Sequence, residues 1–124
     1  MRVTQRKGDI AVSQAIATFT QLGYDVSVPL TESAAYDLVV DSPTGLKRVQ
    51  VRYTSRKEVD LRRIHSNSLG YVVKKAKENA YDWLFVMKSD GTLYLLDTCL
   101  PGRRSFTPLT KHLVTNILKP IIPL

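Results

Sequence analysis

"YDLVVDSPTGLKRVQVRYT", residues 36–54, decides the fold. Two runs of alternating apolar and polar residues flank Ser42-Pro43-Thr44-Gly45, a turn with Pro at its second position. The pattern predicts a hairpin with strands over 36–41 and 46–54. A four-residue turn at 42–45 puts Asp41 opposite Leu46, and the same register makes Asp37 face Gln50. Directly opposed side chains lie roughly 4.5–5.5 Å apart at Cβ and share one face. Alternation adds Arg52 and Thr54 to the face of Gln50 and sends Val49, Val51 and Tyr53 to the other, more apolar face. One side of the hairpin therefore reads as core, and the other gathers Asp37, Gln50 and Arg52. A one-residue slip would undo that gathering.

A carboxylate beside an amide oxygen suits a hard divalent cation. Magnesium takes one or two carboxylates, keeps several waters and lets a phosphate fill the remaining places. A nearby guanidinium can stabilise charge building on a phosphate. Together these are the parts of metal-assisted phosphodiester hydrolysis. The plain alternative is an Asp–Arg ion pair on a solvated sheet face.

Upstream, Ile10, Ala11, Ala15, Ile16, Phe19 and Leu22 recur at helical spacing and predict a helix over 4–22, with Thr4 as N-cap and Gly23 just past its end. Gly8 lies inside that helix at a cost of about 1 kcal/mol relative to Ala, which implies close approach of its backbone to something. "YDVSV", 24–28, is a short strand ended by Pro29, and 29–35 is a loop. Downstream, 55–79 is the least regular and most basic segment, with "EVDLRRI" as a strand and "VVKKAKENA" as a short helix. "YDWLFVMK", 81–88, and "TLYLLDT", 92–98, form a second hairpin, "PGRRS" is a loop, and 109–119 reads as a C-terminal helix. The order predicts a single α/β domain over 1–124, in α+β style, with a mixed sheet flanked by helices.

The 124 residues fit one domain. Eighteen Lys and Arg against eleven Asp and Glu give a net charge of +7, which favours a polyanionic partner such as nucleic acid. A single cysteine, Cys99, allows no intrachain disulfide and fits a reducing cytoplasm. One Cys and two His cannot build a zinc motif. The start lacks the apolar run of a signal peptide, and no window is long enough to span a membrane.

The residues also carry a resemblance. "AYDLVVD…KRVQVRYT" resembles the PD-(D/E)XK nuclease motif, in which Asp and a following acid hold a metal and a Lys contacts the attacking water and the phosphate. The likeness is closer to the branch of group I intron homing endonucleases, where Gln replaces the second acid. "KGDIAVSQAIATFTQLGYDVSVP" is similar to that branch's opening helix and strand, "DLRRIHSN" to its segment after the motif, and "YDWLFVMKSDGTLYLLD" to its later hairpin. The resemblance covers residues 7 to about 97. It implies a restriction-endonuclease-like core and a site-specific double-stranded DNA endonuclease using Mg²⁺, with Mn²⁺ as a substitute. A catalytically weakened DNA-binding protein, a Holliday-junction resolvase or a restriction-type nuclease are the alternatives on the same fold.

Carried over by position, Asp37, Gln50 and Arg52 form the catalytic set, and Asp37 and Gln50 hold the metal. The family's helix Glu falls on Val12, which leaves Asp9 as the candidate to join them. Arg52 stands where the Lys normally is. It stays protonated and cannot serve as a general base. For DNA the candidates are Lys7 near the start of the helix, Arg62, Arg63, His65 and Asn67 as readers of base edges, Lys74 and Lys75, and a second patch at Arg103 and Arg104. Arg suits guanine and Asn suits adenine. Relatives in this branch read long sites as homo-oligomers, a tetramer among them. The apolar stripe of 109–119 is thus either packed on its own sheet or a subunit interface in a dimer or tetramer.

Overall fold

The computed structural model describes residues 2–67, 70–74 and 80–121. Helix α1 spans Val3–Gln21. It begins before Thr4, because Arg2 takes the N-cap position and its carbonyl accepts the N–H of Arg6 at 3.1 Å; no side chain caps that end. Its far end is as expected. Gly23 sits at φ +87°, its N–H reaches the carbonyl of Thr20, and the N–H of Tyr24 reaches that of Phe19, both at 3.0 Å. That pair of bonds needs a left-handed residue between them, which Gly adopts without strain. The Phe19 and Tyr24 rings then stack at 6.3 Å.

Strands β1 (Asp25–Ser27), β2 (Leu38–Ser42), β3 (Gly45–Thr54), β7 (Trp83–Lys88) and β8 (Leu93–Leu96) form one sheet in the order β1-β2-β3-β7-β8. The β2–β3 register is the expected one, with Asp41 opposite Leu46 and Leu38 opposite Val49. β3 and β7 run parallel, with Gln50 beside Leu84 and Arg52 beside Val86. Parallel neighbours need a long crossover. Here the crossover is the basic segment, which carries β4 (Val59–Asp60), β5 (Arg63–Asn67) and β6 (Gly70–Lys74). β5 and β6 pair as a separate hairpin, and β4 pairs with β9 (Ser105–Phe106).

Two sequence expectations fail in this crossover. "EVDLRRI" is split, because the side chain of Asp60 accepts the N–H of Arg62 at 2.9 Å and turns the chain between β4 and β5. Val72 and Val73 belong to β6, opposite His65 and Ile64, in place of the expected helix. β-branched residues favour a strand over a helix, where their χ1 is restricted. The remainder of that expected helix, 75–79, lies outside the described residues.

The helix expected over 109–119 is also corrected. The chain makes a 3₁₀ turn at Thr110–His112 and a single α-turn, α2, at Val114–Ile117. Leu113 is extended between them, at ψ 137°, because it bridges to Tyr94 on the sheet edge. Val114 and Leu118 are buried, so much of the apolar stripe packs on its own domain.

The core lies on both faces of the sheet. On one face α1 presents Ala11, Ala15 and Phe19 to Val49, Val51, Trp83 and Phe85, all buried. Alanines at the contact let helix and sheet approach closely. On the other face Leu84 and Val86 meet Val59, Leu61 and Tyr81, supplied by the crossover. The Gln50 face is therefore not simply solvated, as a hairpin read alone implies.

An ion pair fixes the parallel register. Asp82 accepts the backbone N–H of Arg48 at 2.8 Å and its Nε at 3.1 Å, while the N–H of Asp82 reaches the carbonyl of Arg48 at 2.9 Å. The guanidinium of Arg48 holds the Asp82 carboxyl below its ordinary value, against a smaller opposing effect of burial. A lowered carboxylate contributes stability that is complete above about pH 4 and lost as pH falls through the folded value. Asp82→Asn should flatten the loss of stability below pH 4, measured as urea midpoints across a pH series. An unchanged pH profile would show that the pair contributes nothing to folding.

Candidate active site

Asp37 immediately precedes β2 and extends its ladder, donating its N–H to the carbonyl of Val49 at 2.8 Å. Its Oδ2 accepts the backbone N–H of Val51 at 2.7 Å and Nε2 of Gln50 at 3.3 Å. The expected facing of Asp37 and Gln50 is thus present. One carboxylate oxygen is pinned by the sheet, and Oδ1 has no protein partner among the described residues. Gln50 is 7% exposed. Its amide nitrogen donates to Asp37 Oδ2, and among the described residues no buried side-chain nitrogen or oxygen is left without a partner. Nη1 of Arg52 donates to the carbonyl of Val51 at 3.0 Å, which curls the guanidinium back along its own strand.

These three side chains line one polar cavity of about 280 Å³, together with Glu32, Ala34, Ala35 and Arg62. Arg52 and Arg62 also line an adjoining, larger cleft of about 1050 Å³, with Lys7, Gly8, Arg56 and Arg104 on its walls and Glu58 and Asp60 as its acids. The first turns of α1, the end of β3 and the β4–β9 ribbon make this cleft. Lys7 and Arg104, chosen from sequence as DNA contacts, therefore share one surface next to Asp37. The Lys7 ammonium lies 5.7 Å from the Tyr53 ring centroid, a cation–π contact.

The other chosen residues are placed differently. Arg62 lines both cavities and is bidentate to Asp60, with Nε to Oδ1 at 3.0 Å and Nη2 to Oδ2 at 2.9 Å, so its fork is engaged within the protein. Arg103 stacks on Phe106 at 5.9 Å and lines neither cavity. Arg63, His65, Asn67 and Lys74 sit on the β5–β6 hairpin, with side chains outside those described, and Lys75 lies outside the described residues. Asp9 is exposed on α1 and is not among the residues lining the Asp37 cavity. Val12 packs against the first core. A Cβ on Gly8 would meet nothing within 4 Å, so no close approach among the described residues explains that glycine.

Sequence reading missed Glu32 and took Arg56 only as one of the basic residues of the 55–79 segment. Glu32 reaches the site from the loop between β1 and β2, and no spacing rule marks it. Arg56 is aimed by a tight turn, in which Oγ1 of Thr54 donates to the carbonyl of Glu58 at 2.7 Å and accepts the N–H of Arg56 at 3.1 Å.

The donor set fits a magnesium-type ion. The Asp37 carboxylate and the amide oxygen of Gln50 are hard oxygens on side chains that line the same cavity. Among the described residues no three His, Cys, Asp or Glu come together. Such a sparse set matches an ion that keeps most of its water.

A family model for PD-(D/E)XK endonucleases matches residues 2–103. The chain belongs to that family. Its fold is also similar to that of a bacterial homing endonuclease, I-Ssp6803I, with a TM-score of 0.72 and 27% sequence identity over 87% of this chain and 79% of that one. No curated protein matches it. In this PD-(D/E)XK family member Asp37 immediately precedes β2, an interior strand of the sheet, and Gln50 and Arg52 lie on β3. Among the described residues no helix is long and apolar enough to cross a membrane.

Proposed function

We propose that the protein is a divalent-metal-dependent endonuclease that cuts double-stranded DNA at a specific site, of the intron-homing type. The observation that carries this reading is the Asp37 carboxylate, held by Val51 and Gln50 in a polar cavity that shares Arg52 and Arg62 with a basic cleft. Asp37 and Gln50 would hold Mg²⁺, or Mn²⁺ in its place. When bound there, the ion would supply Lewis-acid stabilisation to the scissile phosphate and lower the pKa of a water.

The chain's own residues do the rest. Backbone Val51 and the Gln50 amide fix the carboxylate plane, so that Oδ1 is presented without reorganisation. Arg52, at the junction of the two cavities, offers a permanent positive charge to the phosphate but accepts no proton. Proton removal from the attacking water therefore falls to a group other than Arg52. Lys7, Arg56 and Arg104 along the cleft neutralise neighbouring phosphates, which makes binding steeply salt-dependent. A 124-residue protomer covers only part of a long site, which supports action as a homo-oligomer, a dimer or tetramer.

The test is nicking and linearisation of a supercoiled plasmid carrying an intron-less target, with Mg²⁺ or Mn²⁺ and with chelator. Metal-dependent cutting at one site is expected. Arg52 in place of Lys, folded back on Val51, favours a second reading, a DNA-binding protein that does not cut. Tight, salt-sensitive binding without nicking under either metal would select it.

A further inference from the structure

A groove that receives a polyanion gains from the cations on its walls and loses from the acids. Two acids stand in the large cleft, Glu58 and Asp60. Asp60 has one dominant partner. Its Oδ1 accepts the backbone N–H of Arg62 at 2.9 Å and Nε at 3.0 Å, and its Oδ2 accepts Nη2 at 2.9 Å. That two-pronged arrangement is also the one in which a guanidinium grips a phosphate. The Arg62 guanidinium holds the Asp60 carboxyl below its ordinary value, against a smaller opposing effect of burial. Arg62 has a particular place as well. Among the described residues, only Arg52 and Arg62 line both the Asp37 cavity and the cleft. In the DNA-free protein a carboxylate therefore occupies a phosphate-shaped fork where the two spaces meet.

We propose that Asp60 is a stand-in for a DNA phosphate: it holds the Arg62 fork in the free protein and yields it to the backbone of a duplex entering the cleft. This rests on the DNA-binding part of the reading above. The exchange is cheap. The two side chains are 31% and 53% exposed, and ion pairs this open contribute little to folding. The turn between β4 and β5 need not break, because the backbone N–H of Arg62 can stay on Oδ1 while the guanidinium swings away. Asp60 itself stays in place, since it pairs with Ser105 and the neighbouring Val59 is fully buried. The intact pair presents a nearly neutral wall to a duplex that does not reach it. A cation beside the Asp37 cavity is thus withheld from loosely bound DNA and released where a phosphate competes for it, a device that lowers affinity for unproductive binding.

Fluorescence anisotropy of a labelled random-sequence duplex, titrated with the full chain across a salt series in chelator, tests this without turnover. Asp60→Asn keeps an oxygen for the Arg62 N–H but loses the charge that holds the fork. Glu58→Gln is the control for charge alone, because Glu58 lines the same cleft and makes no ion pair among the described residues. Asp60→Asn is expected to bind the duplex about two- to fivefold more tightly than Glu58→Gln, the scale of one exposed ion pair. Arg62→Gln should weaken wild-type binding and reduce the slope of log affinity against log salt by about 0.9, the loss of one phosphate contact. An Asp60→Asn protein that melts like the wild type and binds no tighter than Glu58→Gln overturns the exchange. So does an Arg62→Gln protein with the wild-type salt slope, which decides the matter even where Asp60→Asn melts early. Both results leave DNA binding standing. A wild type that binds no duplex removes the DNA reading and this proposal together.

Discussion

Asp37→Asn is expected to lower DNA cleavage on the order of 10³-fold, the scale of losing one preorganised charge-stabilising group in a reaction centre. The asparagine is the informative substitution because of how Asp37 is held. Its Oδ2 accepts the buried N–H of Val51 at 2.7 Å, and an asparagine oxygen can keep that bond. Alanine would leave the Val51 N–H unsatisfied, costing about 1–3 kcal/mol of stability and confusing lost chemistry with lost structure. The Asn variant should therefore melt close to the wild type. It should also bind duplex DNA at least as tightly, since one negative charge leaves a cleft that meets phosphates. Plasmid nicking rates, gel-shift affinities and thermal melts on the same preparations separate these effects. Undiminished cleavage in a folded Asp37→Asn protein removes Asp37 from the site.

The second large effect is structural. Phe19→Ala should destabilise the protein by about 3–5 kcal/mol. Phe19 is fully buried, and its ring centroid lies 5.7 Å from Phe85, 6.1 Å from Trp83 and 6.3 Å from Tyr24. It joins α1 to the interior strand β7 and sits at the helix end, where Gly23 reverses the chain. Aromatic pairs contribute about 0.5–1.5 kcal/mol each beyond the area they bury. Domains are stable by about 5–15 kcal/mol, so this single truncation removes a large share. The melting temperature should fall by about 10–20 °C. Phe19→Leu, which fills much of the volume, should cost far less. A fall of only a few degrees for Phe19→Ala would show that the α1–sheet contact is not organised around this ring.

Local pattern carried far into this structure. The Pro-containing turn and alternating strands set the β2–β3 register, and that register alone brought Asp37 opposite Gln50. The helical stripe of Ala11, Ala15 and Phe19, with Gly23 as stop, is likewise a property of neighbours in sequence. These features were legible because each depends on contacts a few residues apart, or on pairing across one tight turn. The errors have the opposite character. Leu113 interrupts a helical pattern because Tyr94, on another strand, offers it a bridge. Val72 and Val73 read as helix until β5 provides a partner strand. The Asp60–Arg62 pair was likewise not legible, because nothing in spacing announced that Asp60 would turn the chain and take that guanidinium.

The sequence by itself determined the motif hairpin, the pairing of Asp37 with Gln50, the basic balance and the family to which these belong. The tertiary structure alone decided that the crossover closes over the second sheet face, that Lys7, Arg56 and Arg104 share a cleft, and that Glu32 rather than Asp9 lines the Asp37 cavity. The physical reason is sequence distance. Alternation and turn chemistry act within a hairpin, whereas a parallel strand pair is made only after a long crossover has folded. Which charges that crossover and its neighbouring loops bring to the hairpin is fixed by packing, and no local period encodes it.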